Sequence, residues 1–184
     1  SYKGDVKRIA PNLLQRNFMT DAPNQKWATD ITQIDIQGRK CYLSPILDMW
    51  NGEIISYTIS DSPNMKMVTD MLQKAFRKQV PTKGMLLHSD QGWHYQHIKY
   101  RELLQHYGIT QSMSRKGNCL DNAMMENFFG IMKNELLYHN KWEDIDEFKQ
   151  ALKKYIKYYN HKRIKLKLKM SPVLYRTHFQ NIVN

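Results

Sequence analysis

The hydrophobic spacing of this chain changes once, and that change restricts the folds open to it. From Lys26 to Ser60 the pattern is that of strands. WATDITQIDIQ is rich in β-branched residues and ends at Gly38; CYLSPILDMW follows; Asn51-Gly52, a strong two-residue hairpin signal, leads into EIISYTIS. After Ser62-Pro63 the spacing becomes helical, with Met67, Met71, Leu72 and Ala75 recurring through residues 64–79. GMLLH at 84–88 predicts a fourth strand, residues 97–107 a second helix around Leu103 and Leu104, and GITQSM at 108–113 a fifth strand. Further helices are expected from about Asp121 to Leu137 and from about Glu143 to Tyr159, beyond which the chain reads as basic and irregular.

An antiparallel meander of three strands followed by alternating helix and strand predicts an α/β chain with a mixed five-stranded sheet flanked by helices. This is the element order of a ribonuclease-H-like fold. Three regions are expected: a basic, proline-interrupted arm over 1–24, with only a short helix at Asn12–Arg16; a catalytic core over 25–138; and a C-terminal helix with a basic tail over 139–184.

Charge narrows the partners. Lys and Arg number 28 against 17 Asp and Glu, a net charge of +11, which favours a polyanion. Nucleic acid is the first candidate and an anionic membrane surface the second. No apolar run approaches the roughly 20 residues that span a bilayer, and the first residues lack the apolar segment of a signal peptide. Two cysteines, Cys41 and Cys119, support neither a disulfide framework nor a cysteine-based zinc site, so a reducing cytoplasm is the expected compartment.

Three acids stand out: Asp30 in WATDIT, Asp90 in LHSDQG and Glu126 in DNAMMENFF. Asp30 falls inside the expected first strand, sharing a face with Ala28, Thr32, Ile34 and Ile36, where an unpaired carboxylate is costly. Asp90 ends the fourth strand, where open α/β sheets place their sites. Glu126 edges the apolar stripe Met125, Phe129, Met132 and Leu136, with Gly130 and Lys133 on its flank. Singly, each has an ordinary structural reading: a hydrogen-bonded strand Asp, a turn Asp, a solvated helix flank. Together they can converge on two divalent cations, the apparatus for phosphodiester chemistry. Oxygen ligands without cysteine point to Mg2+, with Mn2+ as substitute and two ions expected.

Taken together, WATDIT, LHSDQGWHY, SMSRKGNCLDNAMMENFF and YYNHKRIKLKLKMSP resemble the DDE-type transposases of bacterial insertion sequences, whose catalytic core is related to retroviral integrases. The resemblance runs from about Asn24 to Tyr175. It implies Asp30, Asp90 and Glu126 as the catalytic, metal-binding triad, with Asp30 and Asp90 on one ion and Asp30 with Glu126 on the other. It implies Lys133 as a DNA contact, and DNA nicking and strand transfer as the activity, in a homo-oligomer on bacterial, nucleoid-associated DNA. It further implies an upstream helix-turn-helix region, which this sequence does not contain. One departure stands in the tail, LKLKMSP, where such proteins commonly carry a glycine before MSP.

Other expectations are weaker individually. Arg115, Lys116 and Asn118, in the loop before the catalytic helix, are candidate DNA contacts. So are Lys162, Arg163, Lys165 and Lys167, in a stretch from Lys149 to Asn184 that lacks any acid. His88 is expected to support the site without binding metal. His94 and His97 lack a second ligand pair for zinc, and Asp48, just before the hairpin, is the main rival to a triad member. The competing functions are a ribonuclease-H-type nuclease and a catalytically inactive DNA-binding derivative.

Overall fold

The computed structural model describes residues 7–184. Strands β1 (Lys26–Thr29), β2 (Thr32–Ile36), β3 (Arg39–Asp48) and β4 (Ile54–Ser60) precede helix α1 (Met65–Lys78). Then come β5 (Leu86–Ser89), α2 (Trp93–Gln96), α3 (Ile98–His106) and β6 (Thr110–Met113). A 3-10 turn (Cys119–Asn122) opens α4 (Ala123–Met132), which ends in a π turn (Lys133–Leu137); α5 (Ile145–His161) and α6 (Pro172–Val183) complete the chain.

β3 pairs antiparallel with β4 on one side and with both β1 and β2 on the other. β1 pairs parallel with β5, and β5 parallel with β6. The strands therefore fill five rows, three antiparallel and two parallel additions, as the change of hydrophobic period predicts.

The expected first strand is broken at Asp30-Ile31, for a reason found on its neighbour. The pairs Trp27↔Asp48 and Thr32↔Leu43 share one register, which sets Pro45 opposite Asp30. Proline has no N–H to give to the ladder. Thr29 Oγ1 donates to the Pro45 carbonyl at 2.9 Å instead, and the Ile31 N–H turns onto the Asp30 carboxylate at 2.8 Å.

Period-two alternation divides the apolar residues between two cores. On one face Trp27, Ile46, Ile55 and Leu87 pack with Met67, Val68, Met71, Leu72 and Phe76 of α1. Asn64 caps that helix by accepting from Met67 N at 2.9 Å, and Arg77 and Lys78 lie in its last turn, where cations suit the helix dipole. On the other face Ala28, Ile34, Leu43 and Ile54 meet Met125, Phe128 and Met132 of α4 and Phe148, Leu152 and Ile156 of α5. Each large side chain buried this way contributes about 1.5–3 kcal/mol relative to exposure. The stripe Met125, Phe129, Met132 and Leu136 is buried as expected.

Both chain ends differ from expectation. No helix forms at Asn12–Arg16; the chain turns there with Gln15 and Arg16 in the left-handed region, at φ of 49° and 57°. The segment packs closely: Leu14 is buried, and its N–H and that of Leu13 donate to Ser112 Oγ at 3.1 and 2.9 Å. The tail beyond His161, expected to be irregular, carries α6. Ser171 caps it, with Pro172 in the first turn. Its anchor is Arg176, whose Nη2 donates to Asp48 Oδ2 at 2.8 Å and whose Nε donates to Glu53 Oε2 at 2.5 Å. A guanidinium between two buried carboxylates satisfies charges that would each be costly alone.

Candidate active site

The break at Asp30, the end of β5 and the start of α4 meet around one cavity of about 410 Å3. Asp30, Asp90 and Glu126 all border it, with Gln91, Gly92, Asn122 and the loop Ser114–Cys119. The triad named from the sequence is therefore brought to one place. A larger groove, about 720 Å3, runs along β4 between α1 and α5. Its acids are already matched, Asp70 by Lys66 and Asp146 by Lys149, so it offers no comparable set of carboxylates.

Each acid is placed by local structure. Asp30 owes its position to the interruption opposite Pro45. Its pKa is pushed up to about 7, first by burial and then by the Asp90 charge, with Glu126 adding a smaller repulsion and the Ile31 N–H working against them. Asp90 follows β5 and closes a tight turn, Oδ1 accepting from Gly92 N at 2.7 Å. A Cβ at Gly92 would lie 2.9 Å from that oxygen, so any larger residue there would push the Asp90 carboxylate aside. Glu126 is exposed in the first turn of α4, at the helix end that favours negative charge.

Among the described residues no three His, Cys, Asp or Glu side chains are gathered closely enough to hold a cation as they stand. The carboxylates surround the cavity without meeting in it. Two observations nevertheless fit a hard cation. Burial, with repulsion from Asp90 and Glu126, raises the Asp30 pKa, and Asn122 Oδ1, on a residue lining the same cavity, is a buried acceptor with no donor. Oxygen donors of this kind suit Mg2+ or Mn2+. Asn122 is not among the residues that the sequence singles out; its only local mark is its place immediately before α4.

His88 is fully buried on β5. Its Nδ1 is 2.8 Å from Ser112 Oγ and its Nε2 3.0 Å from Ser114 Oγ, so it touches the cavity only through Ser114. Burial lowers its pKa to about 4, which keeps the ring neutral. His94 bonds the Pro63 carbonyl at 2.6 Å, and His97 Nδ1 accepts from Lys99 N at the start of α3; both are structural. Asp48, the rival carboxylate, is occupied by Arg176, Asn24 N and Trp50 N, away from the cavity.

The basic candidates separate. Lys116 and Asn118 line the cavity, as does Arg115. Arg115 is also committed inward, with its Nε and Nη2 each 2.9 Å from the two oxygens of Asp121. Those bonds hold the Asp121 carboxyl well below its ordinary range. Lys133, Lys162, Arg163, Lys165 and Lys167 are not among the cavity-lining residues. Arg163 is paired with Glu135 at 2.7 Å, and Lys165 packs against Gly52 and lies 6.0 Å from the Tyr159 ring centre. Lys162 and Lys167 are exposed.

Comparisons with known proteins agree with this architecture. Residues 20–119 match the family described as integrase core domain, and residues 126–179 match a second family of the same description. InsK of insertion sequence element IS150 from Escherichia coli (strain K12) is 52% identical over 96% of this chain and 62% of its own length. A transposase-like protein of Haemophilus influenzae is 50% identical over 98% of this chain and 84% of its own. The chain thus spans less than two thirds of InsK. Among solved structures, the HTLV-2 integrase catalytic core domain in complex with magnesium superposes with a TM-score of 0.69 at 17% identity, covering 84% of this chain and 97% of that one. A simian T-cell lymphotropic virus intasome chain gives 0.74 at 18% identity, over 93% of this chain and 59% of that one. At those identities the likeness speaks for the fold, which is that of retroviral integrase cores. With half the chain inside one family and half-identical relatives across nearly all of it, the chain belongs to the integrase core domain family, among the insertion-sequence transposases.

Proposed function

We propose that this chain is the catalytic part of a transposase, nicking DNA at the ends of an insertion sequence and joining the freed 3′ end to a new phosphodiester. The observation that carries the reading is the convergence of Asp30, Asp90 and Glu126 on one cavity beside a basic loop. Asp30 and Asp90 would hold one Mg2+ and Asp30 with Glu126 a second, Mn2+ substituting. Bound there, two divalent ions would stabilise charge on the entering and leaving oxygens of the displacement.

The chain's own contribution is placement. Gly92 leaves Asp90 Oδ1 unobstructed, and the interruption opposite Pro45 turns Asp30 out of the ladder. Asn122 Oδ1 offers a further acceptor beside the acids. Lys116 and Asn118 line the side from which a phosphate backbone would enter, whereas Lys133, Lys162 and Lys167 lie outside the cavity and would meet DNA only away from the acids. Cations of this kind add affinity with little sequence preference. Choice of the element ends is assigned to an upstream recognition region, and joining two ends calls for at least two copies of the chain. Among the described residues no helix is long and apolar enough to cross a membrane.

A second chemistry has one observation in its favour. Ser114, which lines the cavity, bonds through its hydroxyl to neutral His88, a serine–histidine contact of the kind that can serve a nucleophile. Attack by Ser114 would leave DNA covalently attached to protein. The test is a labelled oligonucleotide carrying the element end, incubated with Mg2+ or Mn2+ and the wild type, Glu126→Gln or Ser114→Ala. Metal-dependent nicked and joined products from the wild type and Ser114→Ala, none from Glu126→Gln, and no protein–DNA adduct on a denaturing gel are expected. Hydrolysis without joining would assign a nuclease, and an adduct lost in Ser114→Ala would assign the serine.

A further inference from the structure

Asp121 is the most completely enclosed acid near the cavity, and two of the five hydrogen bonds its carboxylate accepts come from far upstream. Its side chain is 0% exposed. Oδ1 accepts from Arg16 Nε at 2.8 Å and Arg115 Nη2 at 2.9 Å. Oδ2 accepts from Arg115 N and Nε, each at 2.9 Å, and from Asn12 Nδ2 at 3.2 Å. Arg16 also reaches Asn118 Oδ1 through Nη2 at 2.8 Å. One guanidinium thus bridges the loop residue that lines the cavity and the carboxylate at the loop's far end.

The upstream segment is itself fixed to the sheet edge. Met113 N donates to the Pro11 carbonyl at 3.2 Å, and Leu13 and Leu14 N–H groups share Ser112 Oγ, which is also the partner of His88. Arg16 arrives at Asp121 through two successive non-glycine residues in the left-handed region, Gln15 and Arg16. Such a conformation is unfavourable and persists where surrounding contacts determine it. Here those contacts are the buried Leu14 on one side and the Asp121 ion pair on the other.

We propose that Arg16 is a positioning residue for the reaction: its guanidinium, carried in from upstream of the sheet, completes a clamp on buried Asp121 that holds the loop Ser114–Asn122 in place over the cavity. The inference rests on the reading of that cavity as the reactive site. Arg115 ties the loop's two ends to each other, and the loop's start is held by His88 and Ser89; Arg16, with Asn12, adds the tether that joins the middle of the loop at Asn118 and its far end at Asp121 to the segment fixed on the sheet edge. Movement of residues 10–16 is therefore transmitted to Lys116, Asn118 and Asn122, the residues that face the DNA and the acids.

The test compares wild type, Arg16→Gln, Arg16→Lys, Asp121→Asn and the double variant Arg16→Gln/Asp121→Asn, with Arg8→Gln as a control for loss of one charge in the same segment. Amide hydrogen exchange is followed in peptides covering 114–122 and in the sheet, and nicking kcat and KM are measured on end-bearing DNA. Charge-assisted bonds to a buried carboxylate are strong, so loop exchange about tenfold faster in Arg16→Gln is expected, with sheet peptides unchanged. A fall in kcat of similar size, larger than any rise in KM, should accompany it, with partial rescue by Arg16→Lys, no such fall in Arg8→Gln, and no further loss when Arg16→Gln is added to Asp121→Asn. Unaltered loop exchange would overturn the proposal. So would an effect that is additive in the double variant, or one confined to KM, which would make Arg16 a DNA contact. The exchange measurement needs no activity, so a clamp that loosens in an inactive wild type would overturn the reading of the cavity and leave the clamp standing.

Discussion

Pro45 stands directly across the ladder from Asp30, and the missing proline N–H coincides with the point at which the first strand breaks. A central strand is an unfavourable place for proline. Its effect here is to leave the Asp30 peptide out of the ladder, at the residue whose carboxylate faces the cavity. Pro45→Val restores an N–H at that position. We expect the strand to continue through Asp30-Ile31, stability to rise by about 0.5–1.5 kcal/mol for the added ladder bond, and nicking to fall at least several-fold. Urea unfolding and a single-turnover nicking assay read the two effects separately.

Asp30 should be costly to the metal-free fold. Its folded pKa, about 7, lies above the ordinary value of 3.8, so the unfolded state gives up its proton first as pH rises. The folded state therefore loses stability between about pH 4 and 7, and the loss is complete above that window. Asp30→Asn removes the cost. Without metal, at pH 7.5, the variant should be more stable than wild type, on the order of 1–3 kcal/mol, and inactive. Thermal unfolding in EDTA checks the first part; a variant less stable than wild type would contradict it.

His88 sets a pH dependence of the opposite direction. Its folded pKa, about 4, lies below the ordinary 6.5, so the unfolded state binds the proton first as pH falls. Stability should be retained above about pH 6.5 and decline progressively toward pH 4, by roughly 1–3 kcal/mol from this group. His88→Gln, which can still meet Ser112 or Ser114, should flatten that part of the profile. Urea midpoints at pH 7 and pH 4.5 for the two proteins measure it.

The tail departure from the family pattern has a physical counterpart. Lys169, where a glycine commonly precedes MSP, adopts φ of 60°, with its N–H donating to the Lys165 carbonyl at 2.8 Å. A side chain is disfavoured in that conformation by about 1 kcal/mol, whereas glycine is at ease there. Lys169→Gly should therefore raise the melting temperature by a few degrees and leave nicking within twofold. Calorimetry on the two proteins decides it; a lowered melting temperature would show that Lys169 contributes contacts worth more than its strain.

What could be read in the sequence was whatever repeats locally. The alternation of WATDIT, the Asn51-Gly52 turn, the Met67–Ala75 spacing and the Met125–Leu136 stripe each announce an element, and the elements in order give the sheet. The features that escaped depend on partners distant in the chain. α6 is anchored by Arg176 on Asp48 and Glu53, more than 120 positions away, and presents no broad apolar stripe. The turn at Gln15-Arg16 is held by Asp121, and the break at Asp30 by a proline on another strand. The acids stand out as a set because two-metal chemistry would need all three, and they border one cavity. The basic residues do not: Arg163 and Arg176 turn inward to Glu135, Asp48 and Glu53, and a count of charges cannot distinguish a cation facing DNA from one facing a carboxylate.

Asp30, Asp90 and Glu126 are proposed to hold divalent cations together in this cavity. Crystals of the protein soaked in Mn2+ and measured for anomalous scattering test it most directly. Two peaks bordered by the three carboxylates are expected, with both lost or displaced in Asp30→Asn. Saturating Mn2+ that leaves the cavity without a peak, or that collects only at the histidines of α2 and α3, would contradict it.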